Sequence, residues 1–95
     1  MSEQLFEWDE DKDRRNQLKH GISFAEAKTV FNDPFALTIP DLAHSREEVH
    51  WLDVGASARG KLLVVWYTER DANIRIIGCR NATKAERRLY EDERI

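Results

Sequence analysis

Arg70, Arg75 and Arg80 stand five residues apart in the second half of a 95-residue chain. A guanidinium grips phosphate through two parallel hydrogen bonds. Arginines set on strand ends and turns can therefore hold a phosphodiester and stabilise the charge that develops on its oxygens. Metal-free cleavage of RNA needs two further groups, one to take the proton of the 2′-hydroxyl and one to protonate the leaving oxygen. His44 and Glu48 can supply the base, or can merely pair with each other as loop charges. Tyr90 can stack on a nucleobase or donate a proton, although packing against a sheet is the more frequent role of such a tyrosine.

Other chemistries find little support. His20, His44 and His50 are 24 and six residues apart, with no cysteine pair and no His-x-x-Glu-His, whereas structural zinc needs four soft ligands at close spacing. Asp41, His44, Glu47 and Glu48 include enough oxygen ligands for a hard cation, but charged loops are usually solvated. The expectation is no metal and no cofactor. Cys79 lies in a predicted strand beside Ile77 and Gly78 and reads as a small buried hydrophobe. There is no Gly-Lys-Ser/Thr phosphate loop and no Gly-x-Ser-x-Gly.

Charge is unevenly distributed. The formal net charge of −3 argues against a strongly basic nucleic-acid binder. Residues 1–68 carry eight basic and twelve acidic side chains, but residues 69–90 carry six basic against three acidic. A local basic patch matters more than the total when the target is a phosphate backbone. Lys84, Arg87 and Arg88 are accordingly candidates for RNA contact. A chain of 11.2 kDa is expected to form one domain over residues 1–95 around a modest core. Its longest apolar run, Leu62 to Tyr67, is six residues, far below the ~20 that span a bilayer. A polar start with six acidic residues in the first twenty, together with a lone cysteine, points to a cytosolic protein without a leader.

The elements that must position these groups follow from period and punctuation. Phe6-Glu7-Trp8 alternates as a short strand. Asp9 then caps a helix with an acidic first turn, a basic last turn (Lys19, His20) and Gly21 as its left-handed stop. Ser23 and Glu26 are spaced as a capping box for a second helix whose apolar face is Phe24, Ala27, Val30 and Phe31. Four strand candidates follow: Phe35–Ile39, Val49–Val54, Leu62–Thr68 and Ile74–Cys79. Thr83 and Glu86 open a C-terminal helix to about Glu91, whose thin apolar face predicts loose docking and mobility. The order β-α-α-β-β-β-β-α makes an α+β fold with an antiparallel β-sheet. Strict alternation puts Arg75 and Arg80 on opposite faces, so both serve one site only if the strand bulges near Gly78.

Phe6-Glu7-Trp8-Asp9, Lys12, Asn16, Lys19-His20-Gly21, Ser23-Phe24 and Ala27 resemble the opening signature of BrnT-type toxins. Further matches are Asp33-Pro34, Asp41-x-x-His44-Ser45, Leu62-Leu63-Val64-Val65 with Thr68 and Arg70, and Ile74-Arg75-Ile76-Ile77. Arg80 with Ala82-Thr83, and Glu86-Arg87 with Tyr90, complete a set that runs in order over about residues 5–91. The resemblance implies a RelE-like ribonuclease toxin of a type II toxin–antitoxin system that inhibits translation. It also implies a BrnA-like ribbon-helix-helix antitoxin that neutralises the toxin and is its link to operator DNA. Carried across, Arg70, Arg75 and Arg80 match the family's sheet arginines and Tyr90 its C-terminal helix tyrosine. Lys19, His20 and His44 match polar positions, the first two taken as RNA-binding. His50-Trp51 departs from the family at a position where arginine precedes the aromatic, and Gly78-Cys79 replaces Ser-Ala.

Phe6, Trp8, Phe24, Phe31 and Trp66 read most economically as core. Lys12, Asn16 and Lys19 share a helical face of the kind that is solvated or turned to a partner. The alternative to an enzyme is a non-catalytic binding module acting as co-repressor with a DNA-binding partner. Direct DNA binding is disfavoured by the acidic first half.

Overall fold

The computed structural model describes residues 5–92, so both the acidic Glu3 and the terminal residues Glu93–Ile95 lie outside the described residues. β1 (Leu5–Glu7) leads into α1 (Glu10–His20). The Asp9 carboxylate accepts the backbone N–H groups of Asp11 and Lys12, and Gly21 closes the helix at φ 72°. α2 (Phe24–Lys28) starts at Ser23, whose hydroxyl accepts the Glu26 N–H, and tightens into a 3₁₀ turn over Thr29–Asn32. Only half of the expected capping box forms. The Glu26 side chain turns inward, where its carboxylate accepts the Ser57 hydroxyl at 2.8 Å. The hairpin is locked by Asp13 of α1, which accepts the N–H of Phe24 at 2.9 Å.

β2 (Leu37–Pro40), β3 (His50–Ala56), β4 (Leu62–Arg70) and β5 (Asn73–Asn81) form one sheet with β1, in the order β1-β5-β4-β3-β2. β2 to β5 are antiparallel, but β1 pairs parallel to β5 through Leu5–Asn73, Phe6–Ile74 and Glu7–Arg75. The helical hairpin carries the chain from β1 at one edge across to β2 at the other, and the β2–β5 meander then brings β5 back beside β1 in the same direction. Pro40 is included in β2 at the outer edge, where its missing N–H costs no ladder bond. α3 (Lys84–Asp92) closes the described chain. No helix among the described residues is long and apolar enough to cross a membrane.

The two faces of the sheet bury different things. One face takes α1 and α2: Ile22, Phe24, Ala27 and Val30 pack on Leu63, Val65, Tyr67, Ile74, Ile76 and Cys79. Phe6 and Tyr67 both meet the Phe31 ring, at 5.1 and 4.9 Å between centroids. The other face carries a smaller cluster of Val54, Leu62, Val64 and Tyr90 under α3. Trp66 packs against this second cluster, whereas Phe6, Trp8, Phe24 and Phe31 belong to the first. Gly55 sits where β3 passes closest to the 3₁₀ turn. A Cβ there would lie 2.9 Å from both Ala36 Cβ and Val30 Cγ1, so the glycine is needed for close approach.

α3 is anchored more firmly than its sparse apolar face suggests. Tyr90 is only 6% exposed, and its hydroxyl donates to Asp33 Oδ2 at 2.7 Å. The same Asp33 oxygen accepts the Ala56 N–H, and Oδ1 accepts the Phe35 N–H, so one carboxylate joins α3, β3 and the turn before β2.

Candidate active site

The register of β5 changes in mid-strand. Trp66 pairs with Gly78, yet its neighbour Tyr67 pairs with Ile76, leaving Ile77 as an extra residue in a β-bulge. The parity of the strand therefore flips. Ile74, Ile76 and Cys79 all enter the core under the helices, whereas strict alternation puts Cys79 on the other face, with Arg75 and Ile77. Arg75, opposite Thr68, and Arg80, opposite Val64, consequently share the face that carries Trp66. Arg70 at the strand end follows the same parity. The bulge on which a common arginine site depended is present, one residue from Gly78.

On this face α3 covers the Val54–Val64 end and leaves the centre open. Trp66 forms part of the floor of a cavity of about 310 Å³, also lined by His44, His50, Ile77 and Gly78. A larger cavity of about 810 Å³ adjoins it, lined by Arg46, Glu47, Glu48, Arg70 and the same two histidines. On the other side of Ile77, a third of about 320 Å³ follows α1 along Lys12, Arg15, Asn16, Lys19 and His20. Ile77 and the histidine pair thus link three cavities into one track, with a cationic wall at the α1 end, Arg46 and Arg70 balanced by Glu47 and Glu48 at the other, and an aromatic floor between. Such a track suits a single RNA strand, whose bases stack on aromatic rings while its phosphates meet cations.

Arg70, Arg75 and Arg80 each have a carboxylate partner, each from a different element. Arg75 Nη1 donates to Glu7 of β1 at 2.9 Å. Arg70 donates to both oxygens of Glu48, in the loop before β3, at 3.1 and 3.3 Å. Arg80 makes a two-pronged bond to Glu86 of α3 at 2.7 and 2.9 Å, and its guanidinium lies 5.0 Å from the centroid of the Trp66 ring. Glu86 completes its capping box as well, accepting the Thr83 N–H and donating its own N–H to Thr83 Oγ1. The Arg80 guanidinium, ahead of the backbone bond, holds the Glu86 carboxyl down to about 2. Its bond to Arg70 likewise lowers Glu48 below the usual carboxylate range. A guanidinium has five N–H donors, so a phosphate can be gripped without dismissing the carboxylate.

The loop between β2 and β3 is closed on itself. The Asp41 N–H donates to the His50 carbonyl at 2.8 Å, the Ser45 hydroxyl donates to the Asp41 carbonyl, and the His50 N–H donates back to Ser45 Oγ. Within it, His44 Nδ1 lies 2.8 Å from Asp41 Oδ2, and His50 Nε2 lies 3.8 Å from Glu48 Oε1. Three of the four groups considered for a hard cation are thus engaged elsewhere: Asp41 with His44, and Glu48 with Arg70. Cys79 is buried and donates its N–H to Asn16 Oδ1, while Asn16 Nδ2 donates to its sulfur. Burial pushes the thiol up to about 12, which leaves it inert.

A family model described as the ribonuclease toxin BrnT of type II toxin–antitoxin systems matches residues 8–86. The chain belongs to the BrnT family. Among solved structures, the 1.1 Å crystal structure of the Brucella abortus ribonuclease toxin BrnT is similar, with a TM-score of 0.67 and 20% identity over 86% of this chain and 100% of that one. At that identity the likeness shows the fold. No curated protein matches the chain. Membership in BrnT brings a ribonuclease-toxin role and an antitoxin partner at the level of the family.

In this BrnT chain, Arg70, His44 and Glu48 of the candidate set line the cleft, while Arg75 and Arg80 lie beside it on the same face of the sheet, Arg80 against the Trp66 ring. Lys19 and His20 line its α1 end. Lys84, Arg87 and Arg88 are exposed on α3. Tyr90 is the exception: with its ring buried and its hydroxyl given to Asp33, it cannot stack on a base, and Trp66 is the aromatic that faces the cleft. Trp66, His50, Glu7, Lys12 and Arg15 were missed as site residues. Glu7 had a usable signal, since the alternation Phe6-Glu7-Trp8 already turns it away from the core. The unbroken apolar run around Trp66 gave none.

Proposed function

We propose that the chain is a metal-independent endoribonuclease that arrests translation until a BrnA-like ribbon-helix-helix antitoxin binds it. The observation that carries this reading is the bulge at Ile77, which sets Arg75 and Arg80 on one open face about Trp66. An RNA strand lying there meets Arg80, Arg75 and Arg70 in turn, spaced along the strand pair so that they face successive phosphates. The cations stabilise the charge gained by the phosphoryl oxygens, and His44 receives the proton of the 2′-hydroxyl. Glu48, held low by Arg70, is a poor proton acceptor and serves to hold that arginine. Tyr90 contributes by docking α3, which carries Glu86 and so sets Arg80. An acidic or apolar antitoxin segment covering the arginine face would block the cleft.

The co-repressor reading has one observation in its favour, namely that all three arginines already have carboxylate partners. Inducing the chain alone in a bacterial host, beside Arg80→Ala, separates the two. Growth arrest with RNA decay, both lost in the variant, supports the ribonuclease. Normal growth with intact RNA and soluble protein supports the binding module.

A further inference from the structure

The loop that closes between Asp41 and His50 presents two imidazoles to the same cavities, and they have different partners. His44 Nδ1 lies 2.8 Å from the Asp41 carboxylate, a contact that in the neutral ring assigns the proton to Nδ1 and the acceptor lone pair to Nε2. The Asp41 side chain is 11% exposed and that of His44 71%, so the carboxylate is a sheltered orienter and the ring is accessible. His50 starts β3 on the arginine-bearing face, opposite Thr68. Its Nε2 is 3.8 Å from a Glu48 oxygen that supplies a counter-charge to an imidazolium. Glu48 is in turn held by Arg70. The other charged groups lining the larger cavity are Arg46 and Glu47. Both histidines line both cavities, over Trp66 and Gly78. Two nearby imidazoles, one held as an acceptor and one beside an anion, are the elements of a two-proton relay.

We infer that His50 is a catalytic residue, the general acid that complements His44 as base in the proposed RNA cleavage. The inference rests on that proposed activity. The 2′-oxygen forms a bond to phosphorus as the bond from phosphorus to the 5′-oxygen breaks. The proton of the 2′-hydroxyl passes to His44 Nε2, and the proton of His50 passes to the departing 5′-oxygen. The products are a 2′,3′-cyclic phosphate and a 5′-hydroxyl. Both histidines end in the opposite protonation state and are reset by exchange with water, so no further reactant is required. Ser45, bonded to both ends of the loop, is the pivot that keeps the two rings in register.

The test maps a cleaved bond on mixed-sequence RNA and remakes that substrate with sulfur in place of the bridging 5′-oxygen. A thiolate leaves without a proton and has no need of a general acid. His50→Gln is expected to cut the ordinary substrate ~10²–10⁴-fold more slowly and the sulfur substrate within a few-fold of the wild type. His44→Gln is expected to fail on both. The rate of the unaltered protein should follow a bell in pH, and His50→Gln should lose its alkaline limb. Equal loss on both substrates, or an undiminished rate on the ordinary one, removes the acid role from His50 even though the protein is a ribonuclease. Should His50→Gln not fold, a wild-type rate that stays flat in pH also overturns the pair. A wild-type protein that cuts no RNA overturns the proposed function itself.

Discussion

The two faces of this sheet treat a carboxylate in opposite ways, and Asp53 and Glu86 show how. Asp53 lies under the helical side, 5% exposed, and accepts the hydroxyls of Tyr67 and Thr38, both at 2.8 Å. Burial is the leading influence on it and raises its pKa, with the hydroxyls opposing. Glu86 lies on the arginine side, where the Arg80 guanidinium pulls its carboxyl down to about 2. The helical face excludes water and satisfies its few polar groups with neutral donors. The arginine face stays wet and satisfies its groups with opposite charges. The first arrangement makes a core. The second keeps cations in place yet within reach of a ligand, because an ion pair near water is weakly held and easily shared.

If that division is right, the largest stability loss should come from the helical face. Phe24→Ala empties a fully buried site and should cost about 3–5 kcal/mol in urea unfolding. Whatever protein remains folded should keep its cleft. Gly55→Ala should cost about 1–3 kcal/mol, since the new methyl meets Ala36 and Val30 at 2.9 Å. A neutral result there would mean that β3 can shift away from the 3₁₀ turn. Arg80→Ala reverses the pattern. RNA cleavage should fall ~10²–10³-fold as a charge-stabilising donor is lost, while stability changes by no more than about 1 kcal/mol. Equal damage to both would show that the arginine belongs to the fold and not to the site.

The two carboxylates predict pH effects of opposite sign. Glu86 has a depressed folded value, so its contribution is present above the ordinary glutamate range and is lost as pH falls toward about 2. Glu86→Gln should flatten that acid limb in a series of melting temperatures. Asp53 has a raised folded value, so its contribution is fully present below the ordinary aspartate range and declines as pH rises through the folded value. Asp53→Asn should therefore relieve a loss on the alkaline side of that range. The smallest effect belongs to Glu48→Gln at the exposed Arg70 pair, where the melting temperature should not move measurably.

Much of this architecture was legible residue by residue. Asp9 and Gly21 marked α1 through local hydrogen bonding and left-handed backbone, and both act over one turn of chain. Ser23 and Thr83 announced the starts of α2 and α3 for the same reason. The antiparallel strands announced themselves by their runs of β-branched and aromatic residues. Which of the two clusters Trp66 joins is not legible in the sequence, because a buried strand with apolar residues on both faces has no alternation to read. Loose docking was expected of α3 because its apolar face is thin. Its anchor is a polar bond from Tyr90 to Asp33, 57 residues away, that no helical periodicity reports.

By itself the sequence determined the order of elements, their ends, the basic local patch and the family signature, all of which arise from neighbours a few residues apart. Tertiary structure alone decided which arginines share a face. A bulge is a property of the pairing between two strands: Ile77 becomes the extra residue only when Trp66 and Tyr67 choose Gly78 and Ile76 as partners. The carboxylate partners were decided in the same way, because Glu7, Glu48 and Glu86 reach their arginines from three separate elements. Local interactions shape the segments. The site arises from contacts between segments, whose geometry is set only when the sheet closes.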